Sequence, residues 1–292
     1  ITRIAIHTEE LDQKWLAAAA VSEKFIKAFK DDPNVPAITL KHGLAYYHNG
    51  DYYEARQLFQ DISSKYPDSP SVPYANFYAA MSARLGGTAQ ARDECIALFQ
   101  VIIDSKHSLS PEARIQQASV LVDLRKYAEA EKSLSILLES KTTPPFMRRD
   151  AGVLMGDCLH QQGSTSPEKF KQAIAIYNQL LSEKDLTIGW KNFIHYLRGQ
   201  TYDSMGKKSD AFLSYYSVIE QGNIPNNDKN NQEEWKWFYR CGFKALSMLE
   251  NDKRWEAAVK LARRLASFKG PRSEEASKRA ISLANKHMIW EN

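Results

Sequence analysis

The amino-acid sequence predicts an all-α protein made of repeated helical hairpins, and three observations predict it. A small residue followed four positions later by an aromatic residue or leucine returns along the chain, anchored at Ala55, Cys95, Ala130, Ala173, Ala211 and Ala257. Turn-forming clusters such as Asn49-Gly50-Asp51 separate apolar runs of helical period. No run alternates as a strand does, and Val101-Ile102-Ile103 is short and sits inside helical periodicity.

The balance of 43% hydrophobic and 25% charged residues is that of a folded, water-soluble protein with material for a continuous core. At 292 residues an ordinary chain would hold about two globular domains, a rule that repeat arrays do not follow. The uncharged stretch from Trp15 to Ser22 falls well short of the roughly 20 apolar residues of a membrane span. A start at Ile1, with no basic head and apolar run after it, is expected of a piece cut from a longer precursor. Cys95, Cys158 and Cys241 are odd in number, far apart and outside any C-x-x-C pair, so they read as buried, inert thiols.

Taken in order, Leu11 to Lys30 reads as an amphipathic helix closed by Asp31-Asp32-Pro33, the second helix of a hairpin whose first lies upstream. The next hairpin carries Gly43, Tyr46, Ala55, Phe59, Ile62 and Pro67, with Asp51 and Glu54 at capping-box spacing. Gly43 and Ala55 are expected to meet where the helices approach closely, with Tyr46 and Phe59 filling the space between hairpins. The second pairs Ala79 with Cys95 and Phe99 and needs about four extra residues around Gly86-Gly87-Thr88. The third carries Ala118, Leu121, Tyr127, Ala130, Leu134 and Leu137, with Ser110 as cap and Pro111 as first helical residue. The fourth has Gly156, Ala173 and Tyr177 and a loop lengthened over Gln162 to Pro167. The fifth has Gly199, Tyr202, Ala211, Tyr215 and Val218, and the sixth Ala245, Trp255, Ala257 and Leu261. Ser273 to Trp290 reads as a final helix capped by Ser273, covering the last apolar face.

Gly43, Tyr46, Ala55, Phe59 and Pro67 fall without a gap on the small, tyrosine, alanine, aromatic and proline signature of the tetratricopeptide (TPR) repeat, which this segment resembles. The six anchors stand 35 to 46 residues apart against about 34 in the strict repeat, as in irregular bacterial TPR-like proteins. The resemblance implies a right-handed α-solenoid of about six TPR-like hairpins with flanking N- and C-terminal helices. It divides the chain into a helix over residues 1–35, a repeat array over 36–268 and a capping helix over 269–292.

Catalytic signatures are absent from the sequence: there is no H-E-x-x-H, G-x-S-x-G, G-x-G-x-x-G or EF-hand loop. Gly206-Lys207-Lys208-Ser209 lacks the first glycine of a phosphate loop, having Thr201 there, and lies at a hairpin turn. His7, His42, His48, His107, His160, His195 and His287 are dispersed without metal-ligand spacing. His48 and His160 read as solvent-facing polar residues near the binding face. The run Trp235-Lys236-Trp237-Phe238-Tyr239 would be a stacking platform or core; four rings over five helical residues point several ways, which favours packing. No metal or cofactor is expected. Residues 253–292 hold ten Lys/Arg against four Asp/Glu, among them Arg263, Arg264, Lys269, Arg272, Lys278 and Arg279, most simply a solvated face.

In TPR proteins the first helix of each hairpin lines the concave surface that holds a partner segment. The resemblance carries this role onto Leu40, Leu44, Tyr47 and His48; Asn76 and Arg84; Ile115, Ser119 and Asp123; Val153, Asp157 and His160; and Tyr196, Gln200 and Asp203. The carboxylate clamp of chaperone-binding members is not formed, since its positions hold Leu40/Leu44, Asn76/Ala80, Ile115/Ser119, Val153/Asp157 and Tyr196/Gln200. The implied function is a non-enzymatic scaffold for a protein or peptide segment. Lys65-Tyr66-Pro67-Asp68-Ser69 adds a likeness to TPR proteins of bacterial envelopes, which implies a periplasmic or envelope setting, with the cytoplasm as alternative. Two other readings are a docking part of a larger enzyme or transport complex, and an anionic-surface or nucleic-acid binder acting through the basic C-terminal segment.

Overall fold

The computed structural model describes residues 6–7, 10–11, 13–86, 89–225 and 232–289, with only the backbone of 89 and 90. Among the described residues there are helices and turns but no strands. The helices are α1 (Trp15–Ala28), α2 (Val35–Asn49), α3 (Tyr52–Lys65), α4 (Val72–Gly86), α5 (Ala89–Asp104), α6 (Ser110–Asp123) and α7 (Tyr127–Glu139). There follow α8 (Pro145–Gln162), α9 (Pro167–Leu181), α10 (Ile188–Ser204), α11 (Lys208–Glu220), α12 (Gln232–Asn251), α13 (Trp255–Ser267) and α14 (Ser273–His287). From α2 to α13 they pair into hairpins one to six. The chain divides into two compact units, Ile1–Ala151 and Gly152–Asn292.

Every second helix carries one stripe at i, i+4 and i+7. It is Ala55, Phe59 and Ile62 in α3; Cys95, Phe99 and Ile102 in α5; Ala130, Leu134 and Leu137 in α7; Ala173, Tyr177 and Leu180 in α9; and Ala211, Tyr215 and Val218 in α11, all buried. This spacing keeps three side chains on one helix face. Helix α1 repeats it as Ala18, Ser22 and Phe25, so it has the pattern of a second helix. In α3, α7 and α11 the small residue is the fourth of the helix, and its N–H donates to the carbonyl just before the helix: Ala55 to Asp51, Ala130 to Lys126, Ala211 to Lys207.

Hairpin six obeys the same rule one residue later than the sequence suggested. Helix α13 starts at Trp255, so its fourth residue is Ala258, whose N–H donates to Arg254 O. Ala258 is fully buried and the stripe continues through Ala262 and Leu265, while Ala257 is half-buried beside it. The stripe follows the helix start, so the register that puts Ala257 inside is one position off.

The first helices supply hollows for the rings. A Cβ on Gly43 would stand 2.5 Å from Phe59 Cε1, and one on Gly199 would stand 2.5 Å from Tyr215 Cε1. Gly156 lies under Tyr177 in the same way. Phe59 therefore closes its own hairpin over Gly43 and also reaches hairpin two, its ring 5.9 Å from that of Tyr78. Tyr46 does lie between hairpins, against both the Ala18–Ile38 and the Ala55–Phe59 clusters.

The lengthened hairpins absorb their extra residues mainly as helix. In α5 and α9 the anchors Cys95 and Ala173 are the seventh residue, one turn later than elsewhere. Gly87 and Thr88 lie outside the described residues. In hairpin four the added turn places Phe170 directly over Gly163, leaving residues 163–166 as the connection.

Capping also departs from expectation. Asp51 makes no side-chain cap and instead accepts from Asn49 Nδ2 at 2.7 Å. Ser110 is the first helical residue and donates to Ile102 O at 2.9 Å, tying α6 back to α5. Ser273 likewise begins α14 without capping it. Thr187 does cap α10, its side chain accepting from Trp190 N at 3.4 Å. Trp290 lies outside the described residues.

Candidate partner-binding face

With the second-helix stripes buried, the side chains left on the first helices define the candidate face, taken one unit at a time. In the first unit Leu40, Leu44 and Tyr47 are half-buried against the Ala55–Phe59 cluster. Tyr47 is the hub of a ring cluster, edge-on to Tyr52 at 5.6 Å, to Tyr78 at 5.5 Å and to His48 at 5.5 Å. His48 is exposed but stacks on Trp15 at 4.7 Å. Burial beside these phenols raises the Tyr47 hydroxyl above its ordinary pKa, so it stays a neutral donor.

Helices α4 and α6 bring three of the expected residues together. Arg84 donates to Gln116 Oε1 at 2.8 Å and to Ser119 Oγ at 2.7 Å, with Asp123 at 3.6 Å. The guanidinium is thus neutralised within the face. Asn76 and Ile115 are buried, and Asn76 Oδ1 accepts from Ser63 Oγ at 2.7 Å.

In the second unit Val153 and Asp157 are half-buried on α8, and Asp157 accepts from Gln161 at 3.3 Å. His160 is tied inward: its Nδ1 lies 2.9 Å from Thr201 Oγ1 and its ring stands edge-on to Phe170. Burial lowers its pKa below the usual imidazole range. It is a packing residue of hairpins four and five more than a solvent-facing one. Tyr196 and Gln200 are half-buried and Asp203 exposed on α10.

The aromatic run on α12 divides its work. Trp235, Phe238 and Tyr239 are buried in the core. Trp237 stays half-exposed, 4.3 Å from Phe193 and 5.3 Å from Tyr196, with the Arg240 guanidinium 4.8 Å from its ring. With Trp190 beside Phe193, this gives α10 and α12 a ladder of rings. Of these the sequence reading had placed Tyr196 on the face; the helical spacing of Trp190 and Phe193 before it was the signal that would have added them.

Three cations of the basic C-terminal segment are paired with carboxylates. Arg272 forks onto Glu275 with both bonds at 2.7 Å, Lys278 meets Glu274 at 2.7 Å, and Arg279 forks onto Glu250 at 2.6 and 2.9 Å. The three cysteines are buried thiols; burial pushes the Cys95 thiol up to about 11 and Cys241 higher still. Among the described residues no cluster of three or more His, Cys, Asp or Glu is placed to hold a metal ion, and no helix is long and apolar enough to cross a membrane.

Residues 39–69 match the tetratricopeptide repeat family. Similar solved structures include a tetratricopeptide repeat protein from Parabacteroides merdae, 14% identical, covering 94% of this chain and 96% of that one at a TM-score of 0.58. The C-terminal part of a TPR repeat-containing protein from Cytophaga hutchinsonii is 15% identical over 98% of this chain and 96% of its own, at 0.62. YrrB, a TPR protein with an unusual peptide-binding site, is 14% identical over 74% and 97%, at 0.50. Hairpin one is a tetratricopeptide repeat, and the fold is the all-α fold of TPR-repeat proteins. That class serves in general as a scaffold for protein–protein interaction.

Proposed function

We propose that this protein is a non-enzymatic scaffold that holds an extended segment or helix of a partner protein against its first helices. One observation carries the reading: hairpins bury their second-helix stripes, while on first helices the half-exposed rings Tyr47 in one unit and Tyr196 with Trp237 in the other gather further rings around them. Rings of this kind, rigid and amphipathic, are what interfaces use as anchors. The peptide-binding site named for YrrB supports the same kind of ligand. The proposed setting is a bacterial cell envelope, supported by the Lys65-Tyr66-Pro67-Asp68-Ser69 likeness alone.

The test is photo-crosslinking in native cells with a reactive amino acid at Gln200 or Leu44, and at Leu213 on a second helix as reference. Adducts with one partner from the first two sites, and weakening of its binding by a few kcal/mol in the Tyr47→Ala/Tyr196→Ala double variant, are expected. Adducts from Leu213 alone would refute the reading. Fractionation that leaves the protein wholly in the cytoplasm would refute the setting.

A further inference from the structure

Where α12 begins, beside the turn that joins α13 to α14, there is a cleft of about 380 Å³. Trp235, Tyr239 and Pro271 form its apolar walls, and among the described residues Lys236, Arg240 and Arg272 bring three cations to it against the lining carboxylate of Glu233. Lys236, Arg240 and Lys244 stand at i, i+4 and i+8 of α12 and are all exposed, so they form one stripe. Two of the guanidinium groups rest on rings: Arg240 on Trp237 at 4.8 Å and Tyr196 at 6.0 Å, and Arg272 on Phe243 at 4.4 Å. Lys236 is held by Glu233 at 2.9 Å and Arg272 by Glu275. Arg240 and Lys244 have no hydrogen bond or ion pair with any described residue.

We propose that this cleft takes the carboxylate side chains of an acidic, apolar-flanked segment of the partner protein, with Arg240 as the principal contact. The inference rests on the scaffold reading and specifies the partner's chemistry. A guanidinium laid on a ring is oriented before binding and presents its fork of N–H donors to a carboxylate at small entropic cost. The apolar walls beside it call for a side chain such as leucine next to the acid. Charge complementarity is therefore local: discrete cations set beside apolar surface.

A nucleic acid suits the cleft less well. Base stacking needs open ring faces, and here Trp235 stacks on Tyr239 at 5.6 Å while Trp237 lies between neighbours Phe193 and Arg240. A phosphate track needs an unbroken run of cations, and Glu233 and Glu275 interrupt this one.

The test is fluorescence anisotropy with a fluorescein-labelled peptide of alternating glutamate and leucine, against the same peptide with lysine for glutamate. Single-stranded oligothymidine and phosphatidylglycerol vesicles are the other two arms. The expected result is salt-weakened binding of the acidic peptide, reduced about tenfold by Arg240→Gln and, independently, by Lys236→Gln, with unchanged circular dichroism melting. No binding of the acidic peptide, equal binding of the lysine peptide, undiminished binding by the Arg240→Gln variant, or tighter binding of the oligonucleotide or vesicles would each overturn it. Partner crosslinks at Gln200 that persist under any of those results leave the scaffold reading standing while this inference falls.

Discussion

In hairpin one the first helix is hollowed at Gly43, eight residues before the N-cap of α3, and Phe59 fills the hollow. In hairpin six Leu246 stands eight residues before the N-cap of α13, and Ala262 stands where Phe59 does. Both are buried in one cluster with Ala258 and Leu265. At that register large and small have exchanged sides, while one turn earlier Gly242 still lies under Leu265. Hairpin three is intermediate, with Ala118 facing the register of Leu134. Interiors are close-packed, so the combined volume across a helix–helix contact is constrained more tightly than the residue on either side. A motif written as small-then-large therefore finds hairpin one and slips by a residue in hairpin six.

The largest expected effect tests the filled side of that contrast. Phe59→Ala should cost about 3–5 kcal/mol in urea unfolding, as ring deletion from a packed core does. Gly43→Ala should also destabilise, by about 1–3 kcal/mol, and less in a Phe59→Leu background because the two sites share one space. Additive costs would break the ring-over-glycine account.

The contrast also has a pH side. Helix α2 of hairpin one carries His42, buried and held below the usual imidazole pKa chiefly by desolvation, and α10, which packs on α12, carries His195. Burial, with Arg198 beside it, pushes His195 down to about 4. Both are neutral when folded, whereas the unfolded chain takes up protons below about 6.5. Stability is thus complete above the unfolded value and is lost as pH falls toward the folded one, by at most about 3 kcal/mol for His195 near pH 4. Hairpin six has no histidine on α12 or α13. Hydrogen exchange at pH 5 against pH 7 should show α2 and α10 losing protection ahead of α13; uniform loss would count against this.

The smallest effect locates the register of hairpin six. Ala258→Leu should cost about 1–3 kcal/mol by overpacking, whereas Ala257→Leu should change stability by less than about 0.5 kcal/mol. A reversal of the two, measured by thermal melting, would restore the register with Ala257 inside.

Hairpin one was legible because its motif is intact and its turn is marked by Gly50, whose φ of 93° suits glycine. The face was legible only in part. Tyr47 and Tyr196 were placed by the repeat, but the Arg84–Ser119–Asp123 cluster joins residues 35 and 39 positions apart, and no local spacing encodes which of them pair. Asp51 and Glu54 had the letters of a capping box, yet Asn49 claims the Asp51 carboxylate.

Helical periodicity, small residues at the close contacts and glycine at the turns are local quantities, and from them the chain by itself determined an all-α series of hairpins. Which carboxylate holds which cation, which ring covers which glycine and which side of a contact carries the volume depend on residues brought together from different helices. Those were decided only when the helices packed, because packing density and charge pairing are properties of neighbours in space.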